Sequence, residues 1–346
     1  MMRLGRKIIF GLLIAAVATA AICYFAFRAL SSQNAGQESP GDTVVIQPKD
    51  YAKLLFVGDL FFDRGIRYYA QRPKNGSPGS NEFIFEKISP LLLSDDLVIA
   101  NLEGPITNYK SVSIGTGVGN PNNFVFTFDP SLAKTLFEEN IRMVDLGNNH
   151  ILNFGHEGLS QTKKYLDQAK VDYFGVPDGA RSAIEDVNGL KIAFVSYNEF
   201  YGKQELEKKA SIDEIKKIKL ESDVVVVFCH WGVEYAKNPT EPQKELAHQF
   251  IDSGADLVVG SHSHVIGLTE EYPDCQKAIE DPRQLDCRDS GKRIYYSLGN
   301  FVFDQYGFKN CQDGLGVEVK IDKATKEFSF KEVNFYMQPG GQTILK

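Results

Sequence analysis

Seven short apolar runs constrain this 346-residue chain more than any other feature of its sequence. They are KLLFVGD (53–59), DLVIANLE (96–103), IRMVDLGNN (141–149), LKIAFVSYN (190–198), DVVVVFCH (223–230), ADLVVGSH (255–262) and RIYYSLGN (293–300). Helical periodicity lies between them, at 131–140, 158–170 and 239–254. The last of these opens on Thr240 as a cap and closes at Gly254. Strand–helix alternation of this kind predicts an α/β fold with largely parallel strands. The tail is different: 315–322 and 327–336 alternate apolar and polar around KATK, which predicts an antiparallel hairpin at a sheet edge. SIGTGVGNPNN (113–123) is expected to be a long loop. No GK[ST] follows its glycines, so it is not a nucleotide-binding loop.

Residues 1–30 are expected to form a short cytoplasmic N-terminus and a membrane anchor. Ile8–Phe27 is an uncharged run of 20 residues, enough for a helix of about 30 Å to cross the hydrocarbon layer. Arg3, Arg6 and Lys7 precede it and Arg28 follows. That asymmetry places the body outside the cell membrane, as a single-pass protein. A cleaved signal peptide is the competing reading, but the apolar run continues past Ala20 and Ala21. Residues 31–50 are polar and rich in small side chains, a tether that cannot build a core. The body is then 51–346. Beyond residue 30 the chain holds 34 basic and 45 acidic side chains, a net −11. Such an acidic body excludes nucleic acid as a partner, since phosphate binding needs clustered Lys and Arg.

The chemistry is expected at the strand ends. Five of the seven runs finish in a metal-capable or acid–base group: Asp59, Glu103, Asn148–Asn149–His150, His230 and His262-x-His264. In open α/β sheets, sites form at the C-terminal strand edge, where loops converge. Taken singly, Asp59 could be a cap, Glu103 a turn residue, the Asn pair turn geometry and His230 a core histidine. In an extended GSHSH segment, His262 and His264 would face the same way. His156 and His248 are assigned to structure. The set offers carboxylate, amide and imidazole ligands without thiolate, which suits Mn, Fe or Zn, as one ion or two. His150 stands beside a ligand, where it would serve as general acid or transition-state donor. Cys229 reads as a small buried residue. Cys275, Cys287 and Cys311 could supply one disulfide outside the cytoplasm, with the pairing open. Their spacings lack the CxxC unit of a zinc cluster.

At these residues the sequence resembles the CapA-type capsule synthesis family, also called the poly-γ-glutamate biosynthesis (PgsA-like) proteins. The matching stretches are FVGDLFFDRGI, IANLEGPIT, LGNNHILNFGHEGL, CHWGVEY, PTEPQKELAHQFIDSGADLVVGSHSHV and YYSLGNFVFDQ, in order from Leu54 to Gln305. The resemblance extends to calcineurin-like metallophosphoesterases. It implies an α/β/β/α sandwich with a metal site at the strand ends, and membrane-anchored partners of a polymer synthase complex. It further implies that Asp59, Glu103, Asn149, His230, His262 and His264 bind metal, that His150 is catalytic, and that Arg64 binds a carboxylate or phosphate. Two positions depart from the phosphoesterase pattern. Phe61 stands where a ligand histidine is usual, and the bridging carboxylate is a glutamate. One metal position is thereby left with Asp59, Glu103 and His264.

Three functions follow as expectations. The first is a capsule-assembly protein that synthesises, anchors or exports poly-γ-glutamate or a similar anionic polymer. The second is an extracytoplasmic metal-dependent hydrolase of phosphoester or amide bonds. The third is a non-catalytic scaffold.

Overall fold

The computed structural model describes residues 49–73, 79–272 and 292–346. The expected anchor, all but the last two residues of the expected tether, Cys275 and Cys287 lie outside the described residues. Among the described residues no helix is long and apolar enough to cross a membrane.

The apolar runs become strands of two sheets in a mixed α/β fold. In the first sheet, β1 (Tyr51–Leu60), β2 (Leu97–Leu102), β3 (Ile141–Asp145) and β4 (Asp172–Phe174) are parallel neighbours. The second sheet contains β5 (Ser182–Val187), β6 (Leu190–Asn198), β7 (Val224–His230), β8 (Leu257–Ser261), β9 (Thr269–Glu271) and β10 (Arg293–Tyr295), in the order β5-β6-β7-β8-β10-β9. Its β6, β7, β8 and β10 are parallel, while β5 and β9 close its edges antiparallel. Antiparallel strands thus flank the parallel centre of the second sheet, whereas the parallel strands of the first sheet run from β1 out to its β4 edge.

Side-chain alternation sorts these strands into layers. Ala52, Leu54 and Phe56 of β1 meet Ile192 and Phe194 of β6 and Val226 and Phe228 of β7 in a core between the sheets. Leu55, Val57 and Leu60 face the other way, into a core shared with helices α1 (Arg64–Gln71), α2 (Ser131–Glu138) and α3 (Gly155–Ala169). Ala193 and Val195 of β6 and Val225 and Val227 of β7 pack on α4 (Gln204–Ile218) and α5 (Glu241–Asp252). The α5 helix has the expected start, a capping box between Thr240 and Gln243. The α4 helix was not legible as a period, because only Ser211, Ile215 and Ile218 of its 15 residues are buried.

One expectation is corrected. The run 293–300 is not one strand: it splits into β10 and β11 (Asn300–Val302), one in each sheet. Backbone bonds hold the crossing on both sides, Leu298 N–H to Gly260 O at 3.0 Å and Asp59 N–H to Gly299 O at 3.1 Å. A Cβ at Gly58 would stand 1.8 Å from Gly299 O, and one at Gly260 2.0 Å from Tyr296 O, so only glycine fits at either position. The expected antiparallel hairpin forms as β12 (Asp313–Asp322) and β13 (Phe328–Met337), on the edge side of the first sheet. Its β12 pairs along β1, and β14 (Thr343–Leu345) covers one end of β13. Cys229 and Cys311 are buried free thiols, so Cys311 forms no disulfide among the described residues.

Phe228 is buried against Phe56 and Phe174, with ring centroids 5.9 and 5.5 Å away. Phe228→Ala should cost about 3–5 kcal/mol, read as a lower urea midpoint of the full-length protein at unchanged slope.

Candidate metal centre

The parallel strands of both sheets deliver their C-terminal ends to one place. Asp59 lies near the end of β1, Glu103 follows β2, Asn148–His150 follow β3, His230 ends β7, and His262 and His264 follow β8. The structure brings all of these residues into one cluster.

One half of the cluster is anionic. Asp59, Glu103 and His264 are buried, and one ligand atom from each lies within 4.8 Å of the others. His264 Nε2 is 3.8 Å from Glu103 Oε1, and its Nδ1 is 3.4 Å from Asp59 Oδ2. Neither oxygen of Glu103 accepts a hydrogen bond. Burial, reinforced by the charge of Asp59, pushes the Glu103 carboxyl well above its ordinary range. Burial works to lower His264, but Glu103 and Asp59 outweigh it and hold the ring up at about 9.

The other half is neutral. Burial, with nearby His262 and His264, keeps His230 well below the usual histidine range. Burial and the charge of His264 lower His262 to about 3. His230 Nε2 lies 2.9 Å from Asn149 Oδ1, and the His230 and His262 ring centroids are 4.8 Å apart. His262 Nδ1 is buried without a hydrogen-bond partner. The GSHSH segment is not extended, which corrects the geometry expected for it: His262 has φ 85° and His264 φ 59°. Left-handed backbone at two successive histidines is strained. The turn nonetheless aims both rings into the cluster, and His262 N–H donates to Asp59 Oδ2 at 3.2 Å.

A buried amide chain joins the halves. Asn148 donates through Nδ2 to Leu102 O at 2.8 Å and to Asn101 Oδ1 at 3.0 Å. Asn101 Nδ2 then donates to Asp59 Oδ1 at 2.7 Å and lies 3.3 Å from His230 Nδ1. Ser261 Oγ stands 2.9 Å from the same His230 nitrogen. Asn101, Ser261, Asn153 and Asn300 were not singled out by the sequence reasoning. Asn101 and Asn300 carried the same signal as the others, a polar side chain at the end of an apolar run.

His150 lines the site, with Nε2 3.9 Å from Glu103 Oε1. Its Nδ1 faces Asn153 Oδ1 at 3.2 Å, and that oxygen also accepts from Phe126 N–H. The Nδ1 proton therefore points away from the site, and the neutral ring turns the Nε2 lone pair inward. Burial lowers His150 to about 4, so it is neutral at pH 7. Arg64 is already engaged: its Nε and Nη2 fork onto Asp304, and Nη1 donates to Asn123 Oδ1 at 3.0 Å. Phe61 is buried, stacked on Phe303 at 4.5 Å, with the Arg64 guanidinium 4.5 Å from its ring centre. Phe303 in turn lies 4.9 Å from the His264 ring, which gives that side of the centre an apolar flank. His156 is exposed on α3, and His248 bonds Glu270 at 2.8 Å and stacks on Tyr272.

Comparison with known proteins gives a consistent result. Residues 53–305 match the family described as bacterial capsule synthesis protein PGA_cap. The chain is 29% identical over 293 residues to the PGA biosynthesis protein CapA of Bacillus subtilis (strain 168), covering 79% of this chain and 69% of that protein. It is 27% identical over 292 residues to the capsule biosynthesis protein CapA of Bacillus anthracis, covering 78% and 63% respectively. The chain thus spans about two thirds of the length of these two relatives.

A divalent ion ligated by His264 must displace the proton that the Glu103 and Asp59 charges keep on its ring. Because His264 is held at about 9, Mn(II) affinity should rise by about tenfold per pH unit up to that value and then level off. Calorimetry in buffers of different ionisation enthalpy should show proton release at pH 7, and a pH-independent affinity would refute the assignment.

Proposed function

The chain belongs to the bacterial capsule synthesis protein family, and from that premise we propose that it is a metal-dependent accessory subunit for assembly of an extracellular anionic polymer. In this reading it is anchored in the cell membrane by residues 1–30, with 31–50 as tether and the body outside. There it serves a polymer synthase complex handling poly-γ-glutamate or a similar polymer. The two relatives named for PGA and capsule biosynthesis support the role. Two facing sheets with helices on both outer faces, and ligands at the strand ends, support the calcineurin-like metallophosphoesterase superfamily as its origin.

The observation that carries the metal is Glu103, a fully buried carboxylate with both oxygens unbonded beside Asp59. A buried carboxyl without donors, set beside a second buried carboxylate, is costly unless a cation compensates the pair. Asp59, Glu103 and His264 would hold one ion. Asn149, His230 and His262 offer an amide and two neutral imidazoles for a second, and His262 Nδ1 is left free for that purpose. The mixed O/N donors suit Mn, Fe or Zn. Such a centre supplies Lewis acidity toward a phosphoryl or carbonyl oxygen and makes a coordinated water more acidic.

Phe61 backs Phe303, which keeps the flank beside His264 apolar. Arg64 is held by Asp304 and Asn123 and lies over the Phe61 ring, so a carboxylate or phosphate would have to compete with Asp304 for it. His150 presents an unprotonated nitrogen to the site and takes a proton from whatever group attacks there. That orientation favours proton acceptor over general acid, and it also supports the hydrolase reading, in which bond cleavage trims or releases polymer. The strained histidine turn and the uncompensated Glu103 speak against a pure scaffold, which would have no need to keep either.

His150→Ala should keep metal content near wild type and lower polymer yield in cells, with about 10²–10⁴-fold at stake in the proton-transfer step. His230→Ala and His262→Ala should each lose metal. Full polymer yield from His150→Ala would leave the site without a catalytic role. For topology, a reporter fused after Lys346 should be active only outside the membrane. Activity in the cytoplasm, or a mature N-terminus after Ala21, would remove the anchor.

A further inference from the structure

We propose that Asn300 is the positioning residue that commits His264 to ligate metal through Nε2, an inference that rests on the metal-centre reading above. Asn300 is fully buried at the start of β11, directly across from Asp59 in the parallel β1–β11 pairing. Its amide orientation follows from its partners. Nδ2 donates to the backbone oxygen of Cys311 at 3.0 Å and to Gln305 Oε1 at 2.9 Å. A backbone carbonyl can only accept, so Nδ2 lies on that side and Oδ1 on the other. Oδ1 stands 2.9 Å from His264 Nδ1. An amide oxygen can only accept, so His264 Nδ1 bears a proton.

The neutral ring therefore carries its lone pair on Nε2, the nitrogen that faces Glu103 Oε1 at 3.8 Å. An outer partner that fixes tautomer and ring plane is a recurrent feature of metal-binding histidines. Here it also protects a ligand. The other acceptor near His264 Nδ1 is Asp59 Oδ2, at 3.4 Å. Without the Asn300 oxygen, the Nδ1 proton would fall to Asp59 and occupy an oxygen meant for the ion. The strand crossing that ends at β11 thus has a chemical consequence: it brings from the far side of β1 the group that keeps both Asp59 and His264 available.

The test uses purified full-length protein and Mn(II), with affinity read from the free-ion electron paramagnetic resonance signal. Asn300→Leu keeps the shape and removes the acceptor, and affinity should fall about 10–100-fold. Gln305→Leu loosens the same loop but leaves the oxygen on His264, and affinity should stay within about threefold of wild type. Equal losses in the two variants would mean that Asn300 only holds the loop, and an unchanged Asn300→Leu would overturn the proposal outright. Independently of any variant's folding, 15N-histidine spectra of the Zn(II)-loaded wild type should show His264 protonated at Nδ1 and metal-bound at Nε2. The opposite tautomer refutes the inference while leaving the metal centre standing. If the wild type binds neither Mn(II) nor Zn(II), the metal centre fails and this inference with it.

Discussion

Everything at the candidate centre depends on how closely three backbones approach where the chain crosses from one sheet to the other. Gly58 lets Gly299 O come to a distance that any side chain would forbid, and Gly260 does the same for Tyr296 O. Because of that seam, β1 and β8 belong to different sheets yet end beside one another. Asp59 can then accept from His262 N–H, and Asn300 can reach His264. An alanine at either glycine would push the sheets apart by more than the hydrogen bonds of the centre could follow.

The centre has two electrostatic characters within one cluster. On the Asp59–Glu103 side, burial and mutual repulsion raise the Glu103 carboxyl, and a charged His264 is retained as compensation. On the His230–His262 side, burial and the charge of His264 keep both rings neutral. A cation entering the first side would replace the proton of His264 with a larger charge and take the idle Glu103 oxygens. The arrangement therefore places its cost where a metal would recover it, as strained backbone and unbonded polar atoms do at functional sites.

The amides play a different part from the ligands. Asn101, Asn148 and Asn300 each have their orientation dictated by backbone carbonyls, a backbone N–H or a carboxylate. Asn101 and Asn300 pass that orientation to a carboxylate or an imidazole of the centre, and Asn148 fixes Asn101. Neutral amides do this without adding charge to a site that already has an excess.

The sequence alone determined the α/β class, most strand positions, the capping box of α5 and the identity of the residues that gather at the strand ends. It could do so because burial on both faces demands continuous apolar runs, and parallel strands all end on one side. It did not show α4, whose buried face is only three residues wide, nor the split of 293–300. That run looks like one strand because burial is continuous through it, and hydrophobicity does not record which sheet a buried residue joins. Tertiary structure alone decided the left-handed turn at His262 and His264, the engagement of Arg64 by Asp304, the proton-accepting face of His150, and the roles of Asn101 and Asn300. Each of these is set by a partner distant in sequence: Asp304 is 240 residues from Arg64, and Asn300 is 36 from His264. A hydrogen bond has a direction only once both of its ends have been placed.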